Sequence, residues 1–196
     1  MRIIGGKYRG RTLTTFEGEW IRPTSDRVKE SLFNILYTRL FGANVLDLFC
    51  GSGALGLESL SRGAKNVVFN DVSKDSVNVL RKNLTKLGVG TEANVLCDDY
   101  ALCLERVKGP FDLIFIDPPY RLDIGERALE KIAKKGLLGE NGIIVYERDR
   151  AFSGTVSGLE LFDERKYGKT YLTFFRVARK TEGDENHEKM CIYGHV

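Results

Sequence analysis

The chain has 196 residues, 42% of them hydrophobic, and its 30 Lys and Arg against 27 Asp and Glu give a formal net charge of +3. This length and apolar content suit one α/β domain of ordinary size with a small extension. No apolar run approaches the roughly 18 residues of a membrane span, and the first residues lack the apolar core of a secretory signal, so we expect a cytoplasmic protein with no membrane partner.

Cysteine and histidine are scarce. The four cysteines, at positions 50, 97, 103 and 191, form no C-x-x-C pair, and both histidines fall within the last ten residues. A zinc site, a disulfide framework or a catalytic triad therefore lacks suitable partners, and we expect no metal. No histidine lies near Cys50 in the sequence, which favours a packing role over a nucleophilic one.

The first 41 residues predict a small extension in two parts. Residues 2–8 and 11–16 are short extended runs joined around Arg9-Gly10, which is typical of a hairpin. Apolar residues at helical spacing follow, so we predict an amphipathic helix from about Ser25 to Phe41, capped by Thr24 or Ser25. The first twelve residues contain no acid but four basic side chains, Arg2, Lys7, Arg9 and Arg11.

An apolar strand at 44–48 then runs into a glycine turn and a helix. The pattern G-x-G-x-x-G at positions 51, 53 and 56 serves NAD, FAD and other nucleotides, so it is a weak signal alone. Asp47 changes the interpretation because its carboxylate would repel a pyrophosphate and attract an ammonium group. This favours S-adenosylmethionine over NAD as the cofactor.

Two further strands also end in acids. Residues 66–70 predict a strand followed by Asp71, which lies 24 residues after Asp47 and could accept hydrogen bonds from both ribose hydroxyls. Residues 93–96 predict a third strand, followed by Asp98 and Asp99. One of these acids could face the adenine amino group, or either could cap the helix that follows, and both interpretations stay open.

The run from Asp117 to Tyr120, Asp-Pro-Pro-Tyr, follows an apolar stretch at 111–116 that predicts a buried parallel strand. The carboxyl edge of such a sheet is where ligands bind. The prolines remove backbone donors, so a carboxylate and a free carbonyl can hold an amine while Tyr120 stacks on its ring. An ordinary Pro-Pro turn with a surface tyrosine is the alternative.

The remaining elements complete the pattern. Helices at about 54–62, 74–87 and 124–135 alternate with strands that include 142–147, which predicts a doubly wound parallel sheet. Residues 159–166 and 170–177 predict an antiparallel hairpin on its edge. Residues 165–180 form a second basic stretch without acids, and two such stretches favour nucleic acid over a merely solvated surface. The polar tail, 181–196, predicts disorder.

Five blocks of the chain, at 2–11, 22–36, 47–53, 117–120 and 167–170, together resemble one family, the bacterial 16S rRNA guanine-N2 methyltransferases often called RsmD. The resemblance covers about residues 1–177 in order. It implies S-adenosylmethionine-dependent methylation of one guanine amine in 16S rRNA, within an assembled or partly assembled 30S subunit. Lys29 departs from the family by standing where arginine is usual, and Asp71 by standing where glutamate is common.

The implied fold is a Rossmann-like class I methyltransferase domain at 42–180, with a seven-stranded sheet, behind the extension at 1–41, and we expect a monomer. The expected catalytic residues are Asp117, Pro118, Pro119 and Tyr120. The expected cofactor contacts are Asp47, Phe49, Gly51, Gly53, Asp71, Asp98 and Asp99. The expected RNA contacts are Arg2, Lys7, Arg9, Arg11, Arg22, Arg27, Lys29 and Lys169.

Three alternatives remain at this point. A DNA adenine or protein glutamine methyltransferase would commonly begin the tetrapeptide with Asn and would need a target-recognition insert. A nicotinamide dehydrogenase is disfavoured by Asp47. A noncatalytic RNA-binding assembly factor would keep the basic stretches but would need neither set of acids.

Overall fold

A computed structural model describes residues 1–15, 26–119 and 123–179. The predicted tail at 181–196 lies outside these residues, as do Arg22, the candidate caps Thr24 and Ser25, and Tyr120. The helices are α1 (Asp26–Ile35), α2 (Ala54–Ser61), α3 (Lys74–Leu87), α4 (Tyr100–Arg106) and α5 (Ile124–Lys135). The strands are β1 (Asn44–Asp47), β2 (Asn66–Asn70), β3 (Ala93–Leu96), β4 (Phe111–Ile116), β5 (Leu138–Arg148), β6 (Leu159–Tyr167) and β7 (Thr170–Val177).

The strands form one seven-stranded sheet in the order β3-β2-β1-β4-β5-β7-β6. Strands β1 to β5 pair in parallel, whereas β7 is antiparallel to both β5 and β6. This confirms the predicted doubly wound, mostly parallel sheet with an antiparallel hairpin at its C-terminal edge. The strand order reverses between β1 and β4, and ligands bind at such a switch point in open α/β sheets.

Both faces of the sheet are covered, as the continuous apolar run of β4 indicates. Leu113 and Phe115 pack in one core cluster together with residues of α1, α2 and α3. Ile114 and Ile116 pack in a second cluster with residues of α4 and α5. Successive side chains of a strand point to opposite faces, so the buried part of β4, residues 113–116, is apolar at every position.

The extension has a shorter hairpin and a shorter helix than predicted. Its two runs pair in antiparallel fashion around the Arg2–Thr12 bridge, where Ile3 donates its N–H to the Arg11 carbonyl at 2.9 Å, but the backbone donors that follow turn toward α2. Ile4 and Gly5 donate their N–H groups to the Glu58 carboxylate, both at 2.8 Å. Helix α1 ends at Ile35, and a short 3₁₀ helix (Tyr37–Arg39) tightens the chain before β1.

None of the helices that the described ranges contain is long and apolar enough to cross a membrane.

Candidate active site

The predicted acids meet at the carboxyl edge of the parallel strands. Asp47 ends β1 and pairs in register with Phe115 of β4. Asp117 therefore lies two residues beyond the position that faces Asp47, just past the end of β4. Asp71 follows β2 directly, on the other side of β1. Three adjacent strands therefore bring the amine-holding motif and the expected cofactor acids to one edge.

The glycine turn connects β1 to α2 and is tied to β2. Cys50 donates its backbone N–H to the Asn70 carbonyl at 2.8 Å, and Gly51 donates to the Asp71 carboxylate at 2.9 Å. Gly53 precedes α2 with φ at 86°, which side chains with a Cβ rarely adopt. Gly56 packs against β2, since a Cβ there would lie 2.2 Å from the Phe69 ring. The turn is thus held by its own glycines and by Asp71.

Asp47 lies beneath this turn and is only 2% exposed. Its carboxylate accepts the Gly56 N–H at 2.9 Å. Burial raises its pKa from 3.8 to about 7, with a smaller contribution from the charge of Asp71, while the Gly56 hydrogen bond opposes the rise. A cation bound over the turn would favour the ionised form, which fits the predicted role of Asp47 toward an ammonium group.

The two carboxylate oxygens of Asp71 face different segments, the glycine turn and the start of the loop after β2. One accepts from Gly51 and the other accepts from the Ser73 N–H at 2.8 Å. Because a carboxylate has about four acceptor positions, it can still receive ribose hydroxyls. Val72 beside it is 71% exposed, and an apolar side chain there can pack on a planar base. Sequence reasoning missed Val72, although an apolar residue directly after the strand-end acid was a usable signal.

The structure separates the roles of the two acids after β3. Asp99 caps α4, since its side chain accepts the Ala101 N–H at 2.8 Å. The Asp98 carboxylate pairs with Arg106 at 2.7 Å, and its backbone exchanges hydrogen bonds with the buried Asn70 amide. The sequence did not indicate that Asn70 holds the segment after β3, because a polar residue at the end of an apolar strand is common.

Phe49 and Tyr100 complete this part of the edge. The two rings lie 5.9 Å apart in a tilted arrangement, which joins the glycine turn to the start of α4. Both pack against the core on the α4 and α5 side of the sheet. The predicted contact of Phe49 with the cofactor stays a prediction.

Asp117 follows β4 and is half-buried, Pro118 is buried, and Pro119 is exposed. Burial is the main cause that raises the pKa of Asp117 well above its usual range, and the charges of Glu147 and Asp47 add to it. Beside Pro118 lies a shallow, open groove of about 20 Å³, lined also by Glu126 and residues 146–150. The predicted stacking residue Tyr120 lies outside the described residues.

The expected RNA contacts divide into exposed and buried side chains. Those that the structure describes as exposed are Arg2, Lys7, Arg9, Arg11, Arg27 and Lys169. Lys29 is the correction, because it is 0% exposed, lies 3.5 Å from Glu58 and donates to the Arg2 carbonyl at 2.5 Å. Its predicted RNA contact is wrong in this structure, where it docks the extension onto α2.

Two arginines of the second basic stretch, residues 165–180, have acidic partners on the same hairpin. Arg176 forms a two-point ion pair with Glu160 on β6, at 2.8 and 2.9 Å, and Arg165 pairs with Asp163 at 2.9 Å. Lys169 is different, because it lies in the exposed turn between β6 and β7. Tyr171, next to that turn, pairs in register with Arg148 at the end of β5, so the turn lies at the same edge as Asp117.

The cysteines in the described ranges are free, and Cys50 is buried in the core. Burial is the main cause that raises the pKa of Cys50 well above its usual range, and this fits the predicted packing role. Within residues 1–15, 26–119 and 123–179, His, Cys, Asp and Glu side chains form no group of three that could hold a metal ion.

Comparison with known proteins gives one consistent family. The family model described as conserved hypothetical protein 95 matches residues 1–176. A Haemophilus influenzae protein named ribosomal RNA small subunit methyltransferase D is 39% identical over 155 residues, covering 76% of this chain and 79% of that protein. YlbH of Bacillus subtilis, named as an rRNA methyltransferase, is 37% identical over 90% of this chain and 98% of its own length.

A solved structure agrees with these relatives. The Escherichia coli protein yhhF, described as a methyltransferase, superposes with a TM-score of 0.82 and 36% sequence identity, covering 91% of this chain and 99% of that chain. The similarity confirms the predicted Rossmann-like class I methyltransferase fold.

Proposed function

This chain belongs to the RsmD-like family described as conserved hypothetical protein 95, and on that basis we propose that it methylates the exocyclic N2 amine of one guanine in 16S rRNA. The observation that carries the proposal is the position of Asp117 and Pro118 at the end of β4, beside the glycine turn that follows β1. An amine acceptor and a candidate cofactor site thus share one edge of the sheet.

The residues present fit S-adenosylmethionine. Asp71 offers acceptors for ribose, the exposed Val72 offers an apolar contact for adenine, and Asp47 offers a negative charge beneath the turn. A Cβ built on Gly51 would meet no atom within 4 Å, so the turn is open to a ligand. When bound, this cofactor supplies a methyl group on a sulfonium, which is already a good leaving group.

On the substrate side, the chain needs to hold and deprotonate an amine. The Asp117 carboxylate and the Pro118 carbonyl accept the two N2 hydrogens, which turns the nitrogen lone pair toward the donor. Asp117 then takes the proton that N2 loses on methylation. Burial raises the pKa of Asp117, which makes its carboxylate a stronger proton acceptor than that of an ordinary aspartate.

The proposed RNA surface comprises the exposed basic residues of the extension, Arg2, Lys7, Arg9 and Arg11, together with Arg27 and Lys169. Such side chains neutralise phosphates, and the guanine itself would be flipped out of its stack at a cost of about a few kcal/mol. Lys169 lies in the turn at the catalytic edge, where the phosphates flanking a flipped base would pass. The 30S subunit, assembled or partly assembled, is the proposed substrate particle.

The central test is incubation with labelled S-adenosylmethionine and small subunits from cells that lack the modification, with 50S subunits and DNA as controls. We expect label only in the small subunit, in a nucleoside that mass spectrometry identifies as N2-methylguanosine. Label in adenine, label in DNA, or no transfer to any substrate would contradict the proposal.

A matched pair of variants tests the catalytic assignment. Asp117→Ala should abolish methyl transfer yet bind S-adenosylmethionine almost as the parent protein does in calorimetry. Asp112→Ala is the control, because Asp112 lies exposed at the opposite end of β4. Normal turnover by Asp117→Ala would remove Asp117 from the mechanism.

Charge reversal tests the RNA surface. Arg9→Glu should raise KM for the subunit and reduce the salt dependence of binding by about one phosphate contact. Lys134→Glu is the matched control, since Lys134 is exposed at the end of α5, which packs on the face of the sheet opposite the extension. Equal effects of the two substitutions would refute this surface.

A further inference from the structure

A second acid lies beside Asp117 at the end of the neighbouring strand. Ile116 of β4 pairs with Tyr146 of β5, so the next residues, Asp117 and Glu147, occupy adjacent positions on strands about 4.8 Å apart. Two residues earlier on each strand, Phe115 and Val145 belong to the same core cluster. Because side chains alternate along a strand, Asp117 and Glu147 project toward that same face, which α1, α2 and α3 cover.

The surroundings of Glu147 connect it to the Asp-Pro-Pro motif. Glu147 is 5% exposed and lines the groove together with Pro118, whose carbonyl is a proposed amine acceptor. The charge of Glu147 is close enough to contribute to the raised pKa of Asp117, after the larger effect of burial. Arg148 projects from the other face of β5, where it donates to Glu126 at 2.8 Å.

Guanine presents two kinds of hydrogen-bond donor side by side, the N2 amine and the N1–H. Asp117 and Pro118 account for the amine, which leaves N1–H without a partner in the proposed site. We propose that Glu147 is a specificity-determining residue that accepts this N1–H, so that the ends of β4 and β5 together recognise guanine. This inference rests on the proposed function, and it extends the recognition site by one strand.

The arrangement would reject the other bases that carry an exocyclic amine. Adenine has an acceptor at N1, and cytosine has one at N3, the ring nitrogens next to their amines. A carboxylate facing such a nitrogen sets one lone pair against another, and this repulsion disfavours binding of adenine and cytosine. Guanine alone among the four bases offers a donor at that position, so a buried acid selects it.

Glu147 would also assist the reaction without touching the transferred group. Accepting the N1–H draws that proton outward and leaves more electron density on the ring, and therefore on N2. The N2 lone pair then forms the bond to the methyl carbon while the carbon–sulfur bond breaks, and the surplus N2 proton passes to Asp117. N1 keeps its proton, so Glu147 acts as a positioning residue rather than as a base.

The test compares guanine with 2-aminopurine, which carries the same amine but has an acceptor at N1 and no oxygen at C6. Wild-type protein first identifies the methylated guanine, and small subunits are then reconstituted with 2-aminopurine at that position. For the wild type we expect kcat/KM to be much lower on 2-aminopurine than on guanine.

Glu147→Gln keeps the size of the side chain and adds an N–H donor. We expect it to lose roughly 10- to 100-fold in kcat/KM on guanine, the size of a lost charge-assisted hydrogen bond. The amide N–H can pair with N1 of 2-aminopurine, so the ratio of 2-aminopurine to guanine activity should rise. An equal loss on both substrates, or no loss on guanine, would overturn the role of Glu147.

Two controls keep the outcome interpretable. Calorimetry with S-adenosylmethionine should give the same dissociation constant for Glu147→Gln as for the wild type. If that variant fails to fold, Glu147→Asp decides the matter: it should retain discrimination against 2-aminopurine at a reduced rate, and lost discrimination refutes the inference. Wild-type protein that leaves guanine N2 unmethylated overturns the proposed function as well, whereas unchanged Glu147→Gln activity overturns the Glu147 assignment alone.

Discussion

Replacing Asp47 by Asn should make the free protein more stable at neutral and alkaline pH. Asn has nearly the same shape, and its carbonyl oxygen can accept the Gly56 N–H that the Asp47 carboxylate accepts at 2.9 Å. The substitution therefore removes the buried charge while preserving the hydrogen bond. The charge is costly because the side chain is 2% exposed and its pKa is raised to about 7.

The sign follows from proton linkage. The unfolded chain releases the Asp47 proton near pH 3.8, whereas the folded chain holds it to about pH 7, so stability falls as pH rises between these values. The difference of about three pH units corresponds to about 4 kcal/mol at 1.36 kcal/mol per unit. The Asn variant lacks this loss, so its advantage should grow from near zero at pH 4 to at most about 4 kcal/mol at pH 8.

Urea unfolding followed by circular dichroism, at several pH values between 4 and 8, measures the advantage as a difference in unfolding free energy. Asp112→Asn is the control, because it makes the same substitution at an exposed carboxylate at the other end of the parallel strands. An Asp47→Asn protein that is less stable than the wild type at pH 8, or whose advantage does not change with pH, would refute the reasoning.

The same substitution should weaken the cofactor site. S-adenosylmethionine carries a net positive charge, which favours ionised Asp47, so wild-type affinity should increase as pH rises through 7. Asp47→Asn should bind more weakly and lose this part of the pH dependence in calorimetry. An unchanged dissociation constant would remove Asp47 from the cofactor site.

Three other outcomes follow from buried contacts. Glu58→Gln leaves Lys29 as a buried cation without its counter-charge, so we expect the free energy of unfolding in urea to fall by about 3 to 5 kcal/mol. A decrease below about 1 kcal/mol would contradict the pairing. Gly56→Ala places a methyl group against the Phe69 ring and should cost about 1 to 3 kcal/mol in the same assay, whereas unchanged stability would show that the ring yields freely. Among the described cysteines, exposed Cys97 should react with iodoacetamide faster than the two buried thiols, whose pKa values are raised by burial, and peptide mass spectrometry would detect the reverse order.

Several elements could be read from local sequence because their determinants are local. The prediction for α3, residues 74–87, matches the structure. Its apolar residues recur at helical spacing, Ser73 caps its start, and Gly88 ends it in the left-handed conformation. Helix α1 was predicted too long, since residues 37–39 form a 3₁₀ turn although their spacing suits a helix.

The part of the candidate site that depends only on the strand order and direction could be predicted from the sequence. Acids that follow parallel strands must gather at one edge of the sheet, so Asp47, Asp71 and Asp117 could be placed together without coordinates. Which of Asp98 and Asp99 caps α4 was open in the sequence, because both precede the helix. In the structure Asp99 is the cap, because its side chain accepts the Ala101 N–H.

The sequence alone determined the alternation of strands and helices, the glycine turn and the Asp-Pro-Pro motif, since each depends on neighbours along the chain. Only the tertiary structure decided which charges are free. Lys29 is an expected RNA contact by resemblance but is buried against Glu58, and Arg176 lies in an acid-free stretch but pairs with Glu160 on the neighbouring strand. Burial and ion pairing depend on residues far apart in the chain, and those meet only when helices and strands pack.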